Sequence, residues 1–375
     1  MKYLILILSL FIIACSTREP ANISDKQAKF IKDISIKYAK TFCIKEYENY
    51  YRLLLKKPYV DTDDTLVFYL EKNGKNIVKE NVITIPIQSV ISMSATHIGF
   101  LEKLNALEII KGVQNKAYIY NETIRDAINE GNIFEVGYQQ SLNKELILSN
   151  KADVLLEMGM PIVDKARYEV IMDAGIPVLI ISEWLENTPL ARAEWILVMG
   201  ALLDKLDTAQ IIFNDIEKDY LRLKNMTNHV KQKPSVLVGH SFKDVWNIPG
   251  GASYAAYLLK DAGADYIWSN DESIGSIHPA FESIYEYARN VDYWLNPGEV
   301  FSKKELLERD ERIADFLPYQ KNKIYVNNKK TVKGAGNDFW ESGVVNPNLI
   351  LSDLIKIFHP DLLPQHDLVY YKKLD

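Results

Sequence analysis

Three histidines and an aspartate are the side chains in this sequence best suited to holding a metal ion. His97, His240 and His278 each follow a strand-like run or sit in a loop, and Asp338 lies in a glycine-rich segment. Together they could hold zinc or manganese. No two of them have the spacing of a local metal motif, so no resident metal is expected. A second group is aromatic, in loops expected after strands: Trp184 follows Ile176-Ile181, Trp246 and Tyr254 flank Pro249-Gly250-Gly251, Trp268 ends a strand, and Phe339-Trp340 follows Gly334-Ala-Gly-Asn. Large amphipathic rings at strand ends suit a flat, partly apolar ligand such as a chelate, a corrin or a porphyrin. One such ring is ordinary packing, but recurrence along both halves of the chain gives the group its weight. Arg192 could grip an anionic ligand in a bidentate contact or pair with Glu183 or Glu194. Gly334, Gly336 and Gly343 around Asn337-Asp338 mark a tight loop near a binding surface.

Signs of catalysis are sparse. No nucleophile elbow, zincin motif or Cys/His pair occurs, and Ser241 beside His240 is no triad signature. Paired carboxylates leave a cleft hydrolase as an alternative, since acid–base chemistry needs only two of them. The expectation is a binding protein and no enzyme.

The elements that must position these residues alternate. Residues 36–81 read as β-rich, with a turn at Asn73-Gly74. From Val90 onward strands and helices alternate: Val90-Met93, Thr96-Leu104, Ile109-Val113, Ala152-Leu156, Lys165-Ala174 and Ile176-Ile181. The same order returns at Pro234-Val238, Ser253-Ala262, Tyr266-Trp268, Phe281-Arg289, Val291-Leu295 and Lys323-Val326. Such alternation makes a mostly parallel sheet flanked by helices. The expected fold is α/β: two Rossmann-like lobes, one within 29–189 that includes the β-rich addition, the other over 225–375. Between them, residues 190–224 carry apolar side chains in steps of three and four. That pattern predicts one bridging helix of about 35 residues, roughly 50 Å long, with Trp195 in its core face.

The N-terminus is a targeting segment. Lys2 opens it, Tyr3 to Ile13 is almost unbroken apolar sequence, and Ala14-Cys15 closes it. The run is too short to span a bilayer, which needs about 20 apolar residues. Its end resembles the lipobox of bacterial lipoproteins, which implies removal of 1–14, diacylation of Cys15 and a tether over 15–28. Cys43, the only other cysteine, is expected in a buried strand, so no disulfide framework exists. A net charge of −6 argues against a nucleic-acid partner.

A lipoprotein with two α/β lobes on a helix resembles the helical-backbone periplasmic binding proteins of ABC importers. The resemblance is carried by Val90-Ile-Ser-Met-Ser-Ala-Thr, Ala152-Asp-Val-Leu-Leu, Ala174-Gly-Ile-Pro-Val, Pro249-Gly-Gly-Ala-Ser-Tyr, Asp261-Ala-Gly-Ala and Gly336-Asn-Asp-Phe-Trp-Glu-Ser-Gly. It implies capture of a ferric chelate between the lobes by a monomer, with Trp184, Arg192, Trp246, Tyr254, Trp268, His278, Phe339 and Trp340 as ligand contacts. It also implies delivery to an ABC permease and its ATPase, in the periplasm of a Gram-negative bacterium. Cobalamin or haem is the runner-up cargo, and bare zinc or manganese the third. Family members dock through surface carboxylates; here His97 stands where the first is expected, and Glu102 follows a turn later.

Overall fold

The computed structural model describes residues 28–60, 62–72, 80–138, 141–159, 165–242, 245–332 and 334–375. Cys15, the segment before it and the turn expected at Asn73-Gly74 lie outside the described residues.

The β-rich addition is a five-stranded sheet in chain order: Phe30–Asp33, Phe42–Tyr47, Tyr50–Lys56, Thr65–Lys72 and Val82–Ile85. The first four strands are antiparallel, and the last runs parallel to its neighbour. Alternation sends Phe42, Ile44, Leu53, Leu55, Phe68 and Leu70 into the main core, and Cys43 is buried in its strand as expected. Two buried carboxylates tie the sheet to the rest of the chain. Glu194 accepts the backbone N–H groups of Lys37, Tyr38 and Ala39 at 2.7, 2.8 and 2.7 Å, and Glu186 those of Lys40 and Thr41 at 2.8 and 2.9 Å.

In the first lobe the strands are all parallel, in the order Val178–Ile181, Val154–Met158, Val90–Ser92, Ile110–Val113, Phe134–Glu135. The chain lays down Val90–Ser92 in the centre, builds to one side, then crosses to the other. That reversal between Val90–Ser92 and Val154–Met158 is a topological switch point, where α/β sheets open a crevice at their carboxyl ends. The short apolar runs are buried on both faces, as helix-covered parallel strands require.

The second lobe has three parallel strands, Val236–Val238, Tyr293–Leu295 and Ile324–Val326, with Lys372–Lys373 antiparallel at the edge. Beside them His240–Phe242, Val245–Pro249 and Ser276–Ile277 form a small antiparallel sheet. The strand expected at Tyr266–Trp268 is a turn. Only Asp265 bridges, to Ser235, after which the Ser269 and Asp271 N–H groups bond back to the Tyr266 and Trp268 carbonyls. The aromatic run that looked strand-like is packing: the Trp268 ring contacts Tyr266 within that turn and Tyr287 of the helix Phe281–Ala288.

The single bridging helix is also corrected. Residues 190–224 fall into three helices, Pro189–Ala193, Ile196–Leu202 and Leu206–Thr227. The first break follows Glu194, whose side chain is drawn to the 37–39 backbone, and the turn there tightens to i→i−3 bonds. The second is a Schellman end. Asp204 takes a left-handed φ of 53°, its N–H bonds to Ala201, and the Lys205 N–H bonds to Gly200. The chain then turns so that Gly200 packs on Ala209, where a Cβ would come within 2.4 Å. The longest helix, Leu206–Thr227, buries Leu206, Ala209, Phe213, Ile216, Tyr220 and Leu223 along one stripe and leads into the second lobe.

Candidate functional site: a polar cavity between the lobes

The helix Ala95–Lys103 and the loop before the helix Glu122–Asn129 belong to the first lobe. They face the segment Lys330–Asn346 and Tyr370 of the second across a cavity of about 790 Å³. Its walls are largely polar, with Glu102, Lys103, Tyr120, Asn121 and Glu122 on one side and Lys330, Asp338, Glu341, Ser342 and Tyr370 on the other. Two glycines let the lobes meet at its edges. A Cβ on Gly99 would stand 2.1 Å from the Glu341 carbonyl oxygen, and one on Gly336 equally close to the Ile119 carbonyl carbon.

A carboxylate from the second lobe holds the join. Glu341, 1% exposed, accepts the backbone N–H of Tyr120 at 2.8 Å and of Asn121 at 2.9 Å. These amides precede the helix Glu122–Asn129, where positive partial charge favours an anion. Burial nevertheless pushes Glu341 up to about 7; the two amides oppose the shift, and Asp338 and Glu102 add to it. Glu102 accepts from Asn121 Nδ2 at 2.9 Å and is likewise raised, first by burial and then by Asp338. Asp338 is 5% exposed and pairs with Lys330 at 3.2 Å, while Lys103 reaches across to Asn346 Oδ1 at 2.7 Å.

The residues expected to touch a ligand divide. Tyr254, Phe339 and Trp340 come together around a small apolar recess of about 60 Å³, with Leu258 and Tyr371 beneath. Trp340 is 58% exposed and stands edge-on to Phe339. Arg192 is spent internally: it donates to the Trp184 and Glu186 carbonyls at 2.7 and 2.8 Å and lies 4.2 Å over the Tyr254 ring. It forms a salt bridge with neither Glu183 nor Glu194. Trp184 is half-buried beside it. Trp246 is a correction: 1% exposed, it donates to the Val238 carbonyl and sits in a second-lobe core with Trp294, Phe281 and Phe316. The strand Val245–Pro249 returns in the small antiparallel sheet and turns this ring inward. Trp268 packs on Tyr266 and Tyr287, and His278 is exposed past Ser276–Ile277; neither lines the cavity.

The alternative metal set is not assembled. His97 is sealed in the first lobe against Ser92, and burial pushes it down to about 3, hence neutral. His240 lines a separate second-lobe recess with Trp246 and Arg309, and Asp338 lies apart from both histidines in the inter-lobe cavity. Among the described residues no group of three or more His, Cys, Asp or Glu is placed to hold a metal. Glu102, read as a docking carboxylate, faces the cavity and hydrogen-bonds Asn121.

Sequence reasoning missed Tyr120, Asn121, Lys330, Glu341 and Tyr370. Glu341 stands in the quoted segment Gly336–Gly343, but its partners lie 220 and 221 residues away. No local pattern signals such a pairing.

Comparison with known proteins agrees with this architecture. Residues 90–330 match the Periplasmic binding protein family. An uncharacterised lipoprotein of Methanocaldococcus jannaschii is 27% identical over 304 residues, covering 78% of this chain and 69% of its own. A second lipoprotein of that archaeon is 23% identical over 320 residues, covering 81% and 79%. Among solved structures, a possible iron-binding, periplasmic solute-binding protein from Staphylococcus epidermidis superposes with a TM-score of 0.54 at 18% identity, over 72% of this chain and 98% of that one. The haem-binding protein RhuT from Roseiflexus gives 0.54 at 16%, over 74% and 99%. CeuE of Helicobacter pylori with Ni(II) bound gives 0.55 at 14%, over 76% and 88%. These likenesses concern the fold. With two α/β lobes joined through helices and a family match over most of its length, the chain belongs to the periplasmic binding proteins, the solute-binding components of ABC transporters, and is not an enzyme.

Proposed function

We propose that this protein works outside the cytoplasmic membrane, tethered by lipid on Cys15, and captures a ferric chelate in the inter-lobe cavity for an ABC permease and its ATPase. The observation that carries the reading is the cavity itself: about 790 Å³, lined by both lobes, and closed at its edge by Glu341 on the Tyr120 and Asn121 amides. A space of that size suits a compact complex. Its polar lining favours a hydrophilic chelate over the flat apolar face of haem or a corrin, and Trp246, expected to stack on such a face, is core. Relatives named as lipoproteins support the anchor; being archaeal, they lend no support to a Gram-negative periplasm. The test is a fluorescence titration of the purified chain with ferric trihydroxamate, haemin, cobalamin and zinc. Saturable quenching by the ferric chelate, lost in Tyr120→Ala, supports the reading. A response to haemin, cobalamin or zinc alone replaces the cargo.

A further inference from the structure

The charge of the cavity wall limits what can enter, given that the cavity is the solute site. Among the described residues four carboxylates line it, Glu102, Glu122, Asp338 and Glu341, against two ammonium groups, Lys103 and Lys330. Neither ammonium stands ready for an anion, because Lys103 donates to Asn346 Oδ1 and Lys330 is paired with Asp338. Among the described residues no arginine lines the space, so none there offers the planar fork that grips carboxylates and catecholates. Glu102 and Asp338 line the space from opposite lobes, and repulsion from Asp338 adds to the upward shift that burial imposes on the Glu102 carboxyl. A cation placed between them relieves that repulsion, whereas an anion compounds it and gives up its hydration besides.

We propose that the cargo is a hydrophilic complex of zero or positive net charge, bound between Glu102 and Asp338, and that strongly anionic complexes are excluded. Within the ferric chelates this selects hydroxamate-type complexes over catecholate-type ones. The phenols of Tyr120 and Tyr370 line the same space and offer neutral hydrogen bonds to ligand oxygens.

The full-length chain in detergent is titrated calorimetrically with three probes. Hexaamminecobalt(III) is a substitution-inert trication; the other two are a singly positive ferric trihydroxamate and a triply negative ferric tris-catecholate. The double variant Glu102→Gln/Asp338→Asn keeps the acceptor oxygens on Asn121 and Ser342 while removing both charges. The expected result is saturable binding of hexaamminecobalt(III) and the trihydroxamate, about tenfold or more weaker in the double variant, and no saturable heat from the tris-catecholate. Lys330→Gln is expected to tighten hexaamminecobalt(III), which guards against a double variant that merely unfolds. Tris-catecholate binding tighter than trihydroxamate overturns the charge assignment and leaves solute capture standing. Silence with both iron complexes, while hexaamminecobalt(III) binding still depends on Glu102 and Asp338, supports the charge assignment and removes the ferric-chelate reading. Equal hexaamminecobalt(III) affinity in wild type and double variant overturns the assignment outright.

Discussion

Glu341 Oε1, from the second lobe, accepts the backbone N–H of Asn121, from the first, at 2.9 Å. Burial of this carboxyl at the join makes closure of the lobes a titratable event. Burial lifts this carboxyl from its ordinary 4.5 to about 7, so the closed form binds the proton more tightly than an open form with Glu341 in water. Closure is therefore most favoured below about pH 4.5, and the gain is lost as pH rises through 7. Hydrogen exchange at Tyr120 and Asn121, corrected for the intrinsic rate, should show protection falling between pH 5 and 8 by about tenfold or more. Glu341→Gln, neutral throughout, should flatten the profile; unchanged protection in wild type across that range contradicts the account.

Trp246 and Trp340 stand at opposite extremes of burial. Trp246→Ala empties a site that is 1% exposed and should cost about 3–5 kcal/mol in a denaturant melt. Trp340→Ala removes a ring that is 58% exposed and should change stability by about 0.5 kcal/mol or less. The reverse order of stabilities would mean the two rings are wrongly placed.

These two rings also show what the sequence could and could not reveal. Both were expected in loops beyond strand ends, and that rule does not say which way a ring points. Trp246 turns inward because Val245–Pro249 pairs back on His240–Phe242, a hairpin no local signal announced. The parallel strands were legible because each is a short apolar run buried on both faces, as at Val154–Met158. The bridging helix was over-read because 196–203 is apolar on every side, so its steps of three and four continue through the left-handed turn at Asp204. Glu341 and Tyr120 meet only across the lobes, 221 residues apart in the chain, and nothing near either residue marks the other.

Arg192 and Tyr254 join helix Pro189–Ala193 to the second lobe through a cation–π contact of 4.2 Å. Tyr254→Leu should lower stability by about 1 kcal/mol. Arg192→Ala, which also frees the Trp184 and Glu186 carbonyls, should cost more, about 2–3 kcal/mol. Paired thermal melts check the ranking, and equal losses would show that the ring contact contributes all of it.

Glu194 is the anchor of the β-rich sheet. Glu194→Ala leaves three backbone N–H groups of residues 37–39 without an acceptor, a loss of about 3 kcal/mol or more. Deuterium uptake should rise over 30–56 and stay unchanged in the strands of the second lobe. Uniform uptake along the whole chain would show instead that the sheet and the lobes unfold as one unit.

The central claim is that the inter-lobe cavity holds the solute, and calorimetric titration of ferric trihydroxamate into wild type, Tyr120→Ala and Trp246→Phe tests it most directly. The account predicts one saturable site in wild type, near-native affinity in Trp246→Phe, and affinity weakened by about tenfold or more in Tyr120→Ala. Binding that is indifferent to Tyr120 and sensitive to Trp246 would place the solute in the second-lobe recess and contradict it.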